Sequence, residues 1–375
     1  VYPAVTLAAE FKKQAPEMGV TFIGAEIGLE TKIVPALGYE LITLPVRGVV
    51  GNNLFTGIWR GVYLLWESMK VFAILGNLKP DLVIGVGGYA SVPAVLAAAM
   101  RGIPRSILEQ NVLPGRANRV LARIVQRIYQ GFASRSEMFP TEKTTVSGNP
   151  IRPEALTPPD LVRPEGRRSL LILGGSQGAK QINELALTFV PRLKDRFPDL
   201  TVLHQTGPSH EVHVREGYEK AGVSVEVVAF INEMDKAYSG SDLCVSRAGA
   251  MAVSELAASG LPAVLIPYPN AVGHQNLNAK WLEEQGGAVA IHPEEATAEL
   301  LTERISSIFT NPGMLAEMAD SSNRAGVRDA AEKIVRAELE RIGITSAQPF
   351  DNAQGPEPVE GGARRRAQEG QEQQV

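Results

Sequence analysis

Four clusters of small and polar residues carry the chemistry that this chain can do. Gly85-Val86-Gly87-Gly88-Tyr89-Ala90 and Gly174-Gly175-Ser176-Gln177-Gly178-Ala179 each follow a short apolar run and precede a helical pattern. A glycine turn between a strand and a helix start offers unpaired backbone N–H groups and the positive end of a helix dipole, both suited to phosphate oxygens. Taken singly, either loop reads equally well as a tight packing turn. Residues 246–257, rich in Ser, Gly and Ala, form a third strand-to-helix junction. Within it Glu255 brings a carboxylate able to accept both hydroxyls of a ribose diol; the plainer reading is an acid that stabilises a helix dipole. His274-Gln275-Asn276-Leu277-Asn278 sets several polar side chains at a helix start. Such groups are costly to bury unpaired, so they suit a polyhydroxylated ligand such as a sugar, with a plain helix cap as the alternative.

These loops need strands to carry them. Apolar runs at residues 20–24, 41–44, 82–85, 106–108 and 144–146 alternate with helix-length segments such as 92–101 and 116–123. Alternation of this kind predicts βαβ units and a parallel sheet. Prolines then crowd residues 149–166, the composition of an interdomain linker. The alternation restarts at 169–173 and continues through 201–204, 225–228, 243–245, 263–266 and 288–291, followed by a helical pattern over 296–342. Residues 1–152 are thus expected to form one Rossmann-like unit and 153–345 a second. Residues 346–375, rich in Gln, Gly, Glu and Arg, are expected to be a disordered tail.

Composition narrows the function. With 37 Lys plus Arg against 41 Asp plus Glu, the net charge of −4 excludes wholesale nucleic-acid binding. A single cysteine, Cys244, excludes an internal disulfide framework and any all-cysteine metal site, and agrees with a reducing cytoplasm. The charge-free run at 83–100 is too broken by glycine and proline to span a bilayer. The first loop also fits the loose dinucleotide pattern GxGxxA, with Glu109 near the place of a ribose-binding acid. That pattern belongs in a first βαβ unit, and at least two strands precede it here. Pro3 reads as the first turn of a helix, so a strand and a loop are expected ahead of Val1 and the chain reads as a fragment.

Taken in order, the motifs resemble those of the MurG-type glycosyltransferases of peptidoglycan synthesis. They are the 85–91 loop, Glu109-Gln110-Asn111 with Pro114-Gly115, and Gly148-Asn149-Pro150-Ile151-Arg152, then the 174–179 loop, Phe230-Ile231-Asn232-Glu233-Met234, the 246–255 stretch, and His274-Gln275 through Asn278-Ala279. The resemblance runs from Val1 to about residue 342. It implies an α/β fold of GT-B type, two doubly wound Rossmann-like domains facing across a cleft. It also implies an inverting transfer of N-acetylglucosamine from UDP-N-acetylglucosamine to lipid I, giving lipid II and UDP, with no metal and no other cofactor. By resemblance, Ile231 meets uracil through its backbone and Glu255 holds the ribose diol. Ser176 and Ala250, Met251, Ala252, Val253 and Ser254 surround the diphosphate, and Gln275 binds the sugar hydroxyls. Asn111 and Arg152 line the cleft, and Gly85, Gly87, Gly88, Tyr89 and Ser91 face the acceptor's pyrophosphate. Two departures matter. The family's first glycine loop, of the form GGTGGH, belongs just before Val1, and Leu108 stands where a histidine commonly precedes Glu-Gln-Asn. No catalytic base is therefore assigned. Glu109 is the nearest carboxylate candidate, and the chain as given is expected to bind donor but turn over slowly. Other readings are a related GT-B transferase with another lipid or polyketide acceptor, a nucleotide-sugar epimerase, and a non-catalytic UDP-sugar-binding cell-wall protein.

A lipid-borne acceptor calls for contact with the cytoplasmic face of the membrane. Residues 54–72 form a long helical pattern with apolar residues at 55, 58, 62, 65, 69 and 72. That stripe is expected to face the core. Trp59, Tyr63 and Trp66, which do not all fit on it, carry the expectation of an interfacial surface.

Overall fold

The computed structural model describes residues 1–45, 54–88, 90–133, 138–153, 168–175, 178–269 and 273–344, the side chains of 54–63 excepted. The linker region 154–167, the tail and residues Tyr89 and Ser176 lie outside the described residues.

In the first half the chain runs α1 (Tyr2–Gln14), β1 (Thr21–Ala25), α2 (Glu30–Ala36), β2 (Glu40–Leu44), α3 (Leu54–Leu78), β3 (Val83–Gly85) and α4 (Ser91–Met100). It continues through β4 (Arg105–Glu109), α5 (Arg116–Leu121), β5 (Arg127–Gln130) and β6 (Thr144–Val146). Strands β3-β4-β5-β6 make a parallel sheet in that order, and β1 pairs in parallel with β2. Pro3 sits in the first turn of α1, where its missing N–H costs nothing, and the helix buries Leu7 and Phe11. Strand β5 was not legible in sequence. Its ends, Arg127 and Gln130, are polar, and Ile128 and Tyr129 alone are too short a run to read.

The second half runs β7 (Ser169–Leu173), α6 (Lys180–Arg196), β8 (Thr201–Gln205), α7 (Glu211–Lys220), β9 (Glu226–Val228), α8 (Met234–Ser239), β10 (Leu243–Ser246), α9 (Ala250–Ala258), β11 (Ala263–Leu265), α10 (His274–Glu284) and β12 (Ala288–Ala290). Its six parallel strands lie in the order β9-β8-β7-β10-β11-β12. Numbered within the unit this is 3-2-1-4-5-6, the doubly wound order whose topological switch point falls between β7 and β10. One sheet face packs Ile182, Phe189, Leu193 and Val214 with Leu301 and Ile305. The other packs Met234, Tyr238, Val253, Leu256 and Leu282, and Phe132 and Val112 of the first unit join it.

The helical pattern after 296 is three helices, α11 (Ala298–Phe309), α12 (Pro312–Ala325) and α13 (Ala330–Arg341). Asn311 caps α12 through its side chain, with a proline in the first turn. Helix α13 returns to the first unit, where Ile334, Val335 and Leu339 bury against Leu7, Phe11, Leu108 and Tyr129. Tyr129 donates to the buried Glu338 carboxylate at 2.7 Å. At about 1.5–3 kcal/mol per buried aliphatic side chain, α13 is a strong tie between the halves.

The interior face of α3 differs from expectation. Glu67, Ser68, Val71 and Leu75 are buried, whereas Leu65, Trp66 and Met69 are 61%, 63% and 56% exposed. At 65 and 69 the stripe therefore faces outward, whereas Phe72 packs against the core; the side chains at 55, 58 and 62, and those of Trp59 and Tyr63, lie outside the described residues. Two polar residues at inward positions, Glu67 paired with Lys70 at 2.9 Å and Ser68 bonded to the Leu64 carbonyl, hide the true phase of the helix.

Candidate functional site

The site forms where β7 and β10 end. Leu173 and Ser246 are register partners, so the loop that begins at Gly174 and the loop that begins at Arg247 leave adjacent strands side by side, at the switch point. The Gly174 N–H bonds to the Gln205 carbonyl at 2.8 Å, extending the β7–β8 ladder into the start of the first loop. Gly178 has φ +80°, and a β-carbon there would lie 2.4 Å from the Thr206 carbonyl oxygen, so only glycine fits.

Gly249 enters α9 in extended conformation, and no side chain caps the helix. The Val253 N–H already bonds the Gly249 carbonyl at 2.9 Å. The amides of Ala250, Met251 and Ala252 are therefore the orphan donors of the first turn, and the helix dipole adds to them. Val253 itself is fully buried core, and Ser254 accepts a hydrogen bond from Asn149 at 2.9 Å.

Glu255 is 5% exposed and bound from two sides. Arg152 reaches it across the units, Nε to Oε1 at 3.2 Å and Nη2 to Oε2 at 3.3 Å. The Tyr238 hydroxyl donates to Oε2 at 2.8 Å. Burial alone would lower the Arg152 pKa, but the facing Glu255 charge and its hydrogen bonds outweigh that and hold the guanidinium charged. The Tyr2 ring lies 4.7 Å from the guanidinium carbon, covering its open face.

The first unit supplies a clamp built on Glu109, which is 2% exposed. Its Oε1 accepts from the Asn111 N–H at 3.0 Å and the Asn111 side chain at 3.2 Å. Its Oε2 accepts from the Gly115 N–H at 2.9 Å and Asn118 at 2.8 Å. Four donors leave it no lone pair for a substrate proton or a ribose, so neither a base nor a dinucleotide-binding acid fits Glu109. The carboxylate instead shapes the 109–115 loop. Gln110 donates to the Val86 carbonyl at 2.9 Å, tying that loop to the glycine loop after β3, and Ser91 donates to the Gly87 carbonyl.

Two asparagines then join the halves. Asn149 donates to the Gln110 carbonyl at 3.0 Å as well as to Ser254. A β-carbon on Gly131 would lie 2.2 Å from its amide oxygen, which requires glycine there. Asn278 is fully buried, accepts from the Val112 N–H at 3.0 Å and donates to Asn111 at 3.2 Å and to the Ala248 carbonyl at 3.1 Å. Phe132 and Trp281 meet across the same seam, ring centroids 4.6 Å apart and planes tilted by 54°.

The amide cluster at α10 thus divides. Asn278 is a structural bridge rather than a sugar ligand, and His274 bonds the Leu113 carbonyl at 2.9 Å. Gln275 accepts from the Tyr268 N–H at 2.9 Å, a bond that uses its carbonyl and leaves its NH2 group for a ligand. Ile231 is 8% exposed in the turn before α8. Arg247 holds the carbonyls of Ile266 and Pro267 and the side chain of Gln181, bracing the strand ends around Gln275. Sequence reading gave no separate role to Tyr238, Asn149 or Arg247. Each pairs with a residue at least 17 positions away, and the motifs in or beside which they lie marked the region without marking these contacts. Ser176 and Tyr89 lie outside the described residues.

Comparison with known proteins agrees with this geometry. Residues 1–130 match the glycosyltransferase family 28 N-terminal domain and residues 169–334 its C-terminal domain. A UDP-N-acetylglucosamine--N-acetylmuramyl-(pentapeptide) pyrophosphoryl-undecaprenol N-acetylglucosamine transferase of Geobacter sp. (strain M21) is 39% identical over 340 residues, covering 90% of this chain and 92% of that protein. The protein of the same name from Syntrophus aciditrophicus (strain SB) is 38% identical, covering 89% and 93%. Among solved structures, MurG of Acinetobacter baumannii superposes with a TM-score of 0.74 at 28% identity, over 90% of this chain and 95% of that one. The Neisseria meningitidis UDP-GlcNAc 2-epimerase bound to UDP-GlcNAc superposes at 0.62 with 15% identity, over 90% and 97%, a likeness of fold alone. The fold is GT-B, two parallel-sheet Rossmann-like domains.

Proposed function

The chain belongs to glycosyltransferase family 28, and we propose that it is the inverting hexosyltransferase that moves N-acetylglucosamine from UDP-N-acetylglucosamine to lipid I, giving lipid II and UDP. The observation that carries the donor site is the pair of loops leaving β7 and β10 side by side, with Glu255 in the second turn of the helix between β10 and β11.

In this reading the uracil meets the Ile231 backbone and the ribose diol meets Glu255. The diphosphate lies against the 174–179 loop, including Ser176, and the first turn of α9, and Gln275 takes sugar hydroxyls through its NH2 group. Amides and helix dipoles aimed at the leaving UDP stabilise negative charge as it develops. Arg152 and Asn111 lie on the first-unit side of the cleft, and the 85–91 loop faces the acceptor's pyrophosphate. We divide the chain at about residue 152, the first part serving acceptor and membrane and the second the nucleotide sugar. Transfer of labelled N-acetylglucosamine into a lipid-extractable product, dependent on added lipid I, tests the reaction. Label that stays in the aqueous phase while donor binds would overturn it.

We also place the enzyme on the cytoplasmic face of the membrane. No described helix is long and apolar enough to cross a bilayer. On α3, Leu65, Trp66 and Met69 form an exposed apolar face with Lys70 at its edge, the composition of an interfacial helix. Replacing all three apolar residues with Ser is expected to lower co-sedimentation with anionic liposomes by about tenfold or more, since each buried side chain contributes about 1.5–3 kcal/mol. The unfolding midpoint should stay unchanged. Undiminished sedimentation contradicts the assignment.

A further inference from the structure

The geometry points to Tyr238 as the positioning residue that sets the Glu255 carboxylate for the ribose diol and so gives the site its preference for ribonucleotides over deoxyribonucleotides. The inference rests on the reading of Glu255 as the ribose acid. Glu255 projects from α9 and Tyr238 from α8, so the 2.8 Å hydrogen bond between them crosses two helices. Tyr238 is 1% exposed and packed among Met234, Val253 and Leu256, so its hydroxyl is a fixed point. Burial first, then the negative charge of Glu255, push its phenol well above the ordinary value, which keeps it protonated and donating.

The count of lone pairs makes the role specific. A carboxylate offers about four acceptor sites. Tyr238 takes one on Oε2, and Arg152 takes one on each oxygen, its bonds of 3.2 and 3.3 Å being longer than that of Tyr238. A diol that binds both oxygens must displace the Arg152 contact at Oε2, while the Tyr238 bond remains and fixes the plane in which the free lone pairs point. Helix α8 begins three residues after Ile231, so the same short helix that anchors the ribose acid follows the base contact directly. Base and ribose recognition are thus built on one rigid piece.

Tyr238→Phe keeps the buried ring and removes only the hydroxyl. Isothermal titration with UDP and with 2′-deoxyuridine diphosphate, in the wild type and in Y238F, tests the role. The wild type is expected to prefer UDP by about tenfold, the worth of one hydrogen bond to a charged group. Y238F is expected to lose most of that preference by weakening UDP, which uses both hydroxyls, more than 2′-deoxyuridine diphosphate, which keeps only the 3′-hydroxyl contact. In a Glu255→Gln background, Y238F should cause no further loss, because it acts through that carboxylate. Equal discrimination by wild type and Y238F overturns the proposal alone, as does an equal weakening of both ligands, the mark of a merely structural residue. A wild type that binds both ligands alike removes the contact between Glu255 and the 2′-hydroxyl, and with it the reading of Glu255 as the acid of the ribose diol.

Discussion

Glu255→Ala is expected to weaken UDP-N-acetylglucosamine binding by about a hundredfold and to lower the unfolding midpoint by several degrees. The affinity loss follows from two hydroxyl bonds to a charged acceptor, each worth about 1.5–3 kcal/mol. The stability loss has a separate origin. Without the carboxylate, the Tyr238 hydroxyl is orphaned in the core, and Arg152, whose side chain is only 22% exposed, keeps its charge with no partner. Breaking one side of a buried pair costs about 3–5 kcal/mol, and the partial exposure of Arg152 puts this pair at the low end of that range. Titration with the donor and thermal unfolding read the two effects separately. Wild-type donor affinity in E255A would remove Glu255 from the nucleotide site, and an unchanged midpoint would mean that the Arg152 bridge does not join the units.

Glu109→Gln is expected to cost about 2–4 kcal/mol of stability, because an amide NH2 must then face donors that the carboxylate had satisfied. All four of its contacts come from the protein's own N–H groups within the 109–118 segment. Had Glu109 been a general base, the same change would leave stability alone and cut kcat by about 10²–10⁴. Urea unfolding beside kcat at saturating donor distinguishes the two. An unaltered unfolding free energy with a collapsed rate would contradict the structural role and restore Glu109 as a candidate base.

What the sequence made legible follows a physical line. Strands β7 and β10 are continuous apolar runs ended by small residues, so both the strands and the loops beyond them could be read directly. The doubly wound order was implied by the alternation, but the switch point needed the pairing of β7 with β10, two strands separated by three helices. Contacts that couple distant residues were invisible. Arg152 and Glu255 are 103 positions apart, and Asn278 and Asn111 are 167 apart. A motif can name such residues singly, but only the fold shows that Asn278 is consumed in joining the units while Gln275, one turn earlier on α10, keeps its NH2 group for a ligand. The phase of α3 failed for a different reason. Hydrophobicity was the guide, and the helix buries Glu67 and Ser68 while exposing Leu65, Trp66 and Met69. That inversion has a sequence signal of its own, since aromatic and aliphatic residues beside Lys70 are what an interfacial surface requires.

The most direct test of the donor site is thermal unfolding of the chain with UDP-N-acetylglucosamine, UDP-N-acetylgalactosamine and NAD in parallel. A ligand at 100 times its dissociation constant stabilises by about 2.7 kcal/mol, a shift of a few degrees. The loops that leave the ends of the paired strands β7 and β10, with Glu255 and Gln275 as the proposed ribose and sugar ligands, predict the largest shift with UDP-N-acetylglucosamine, a smaller one with its galacto epimer and none with NAD. A shift with NAD and none with either UDP sugar would contradict the donor site and return the glycine loop after β3 to a dinucleotide reading.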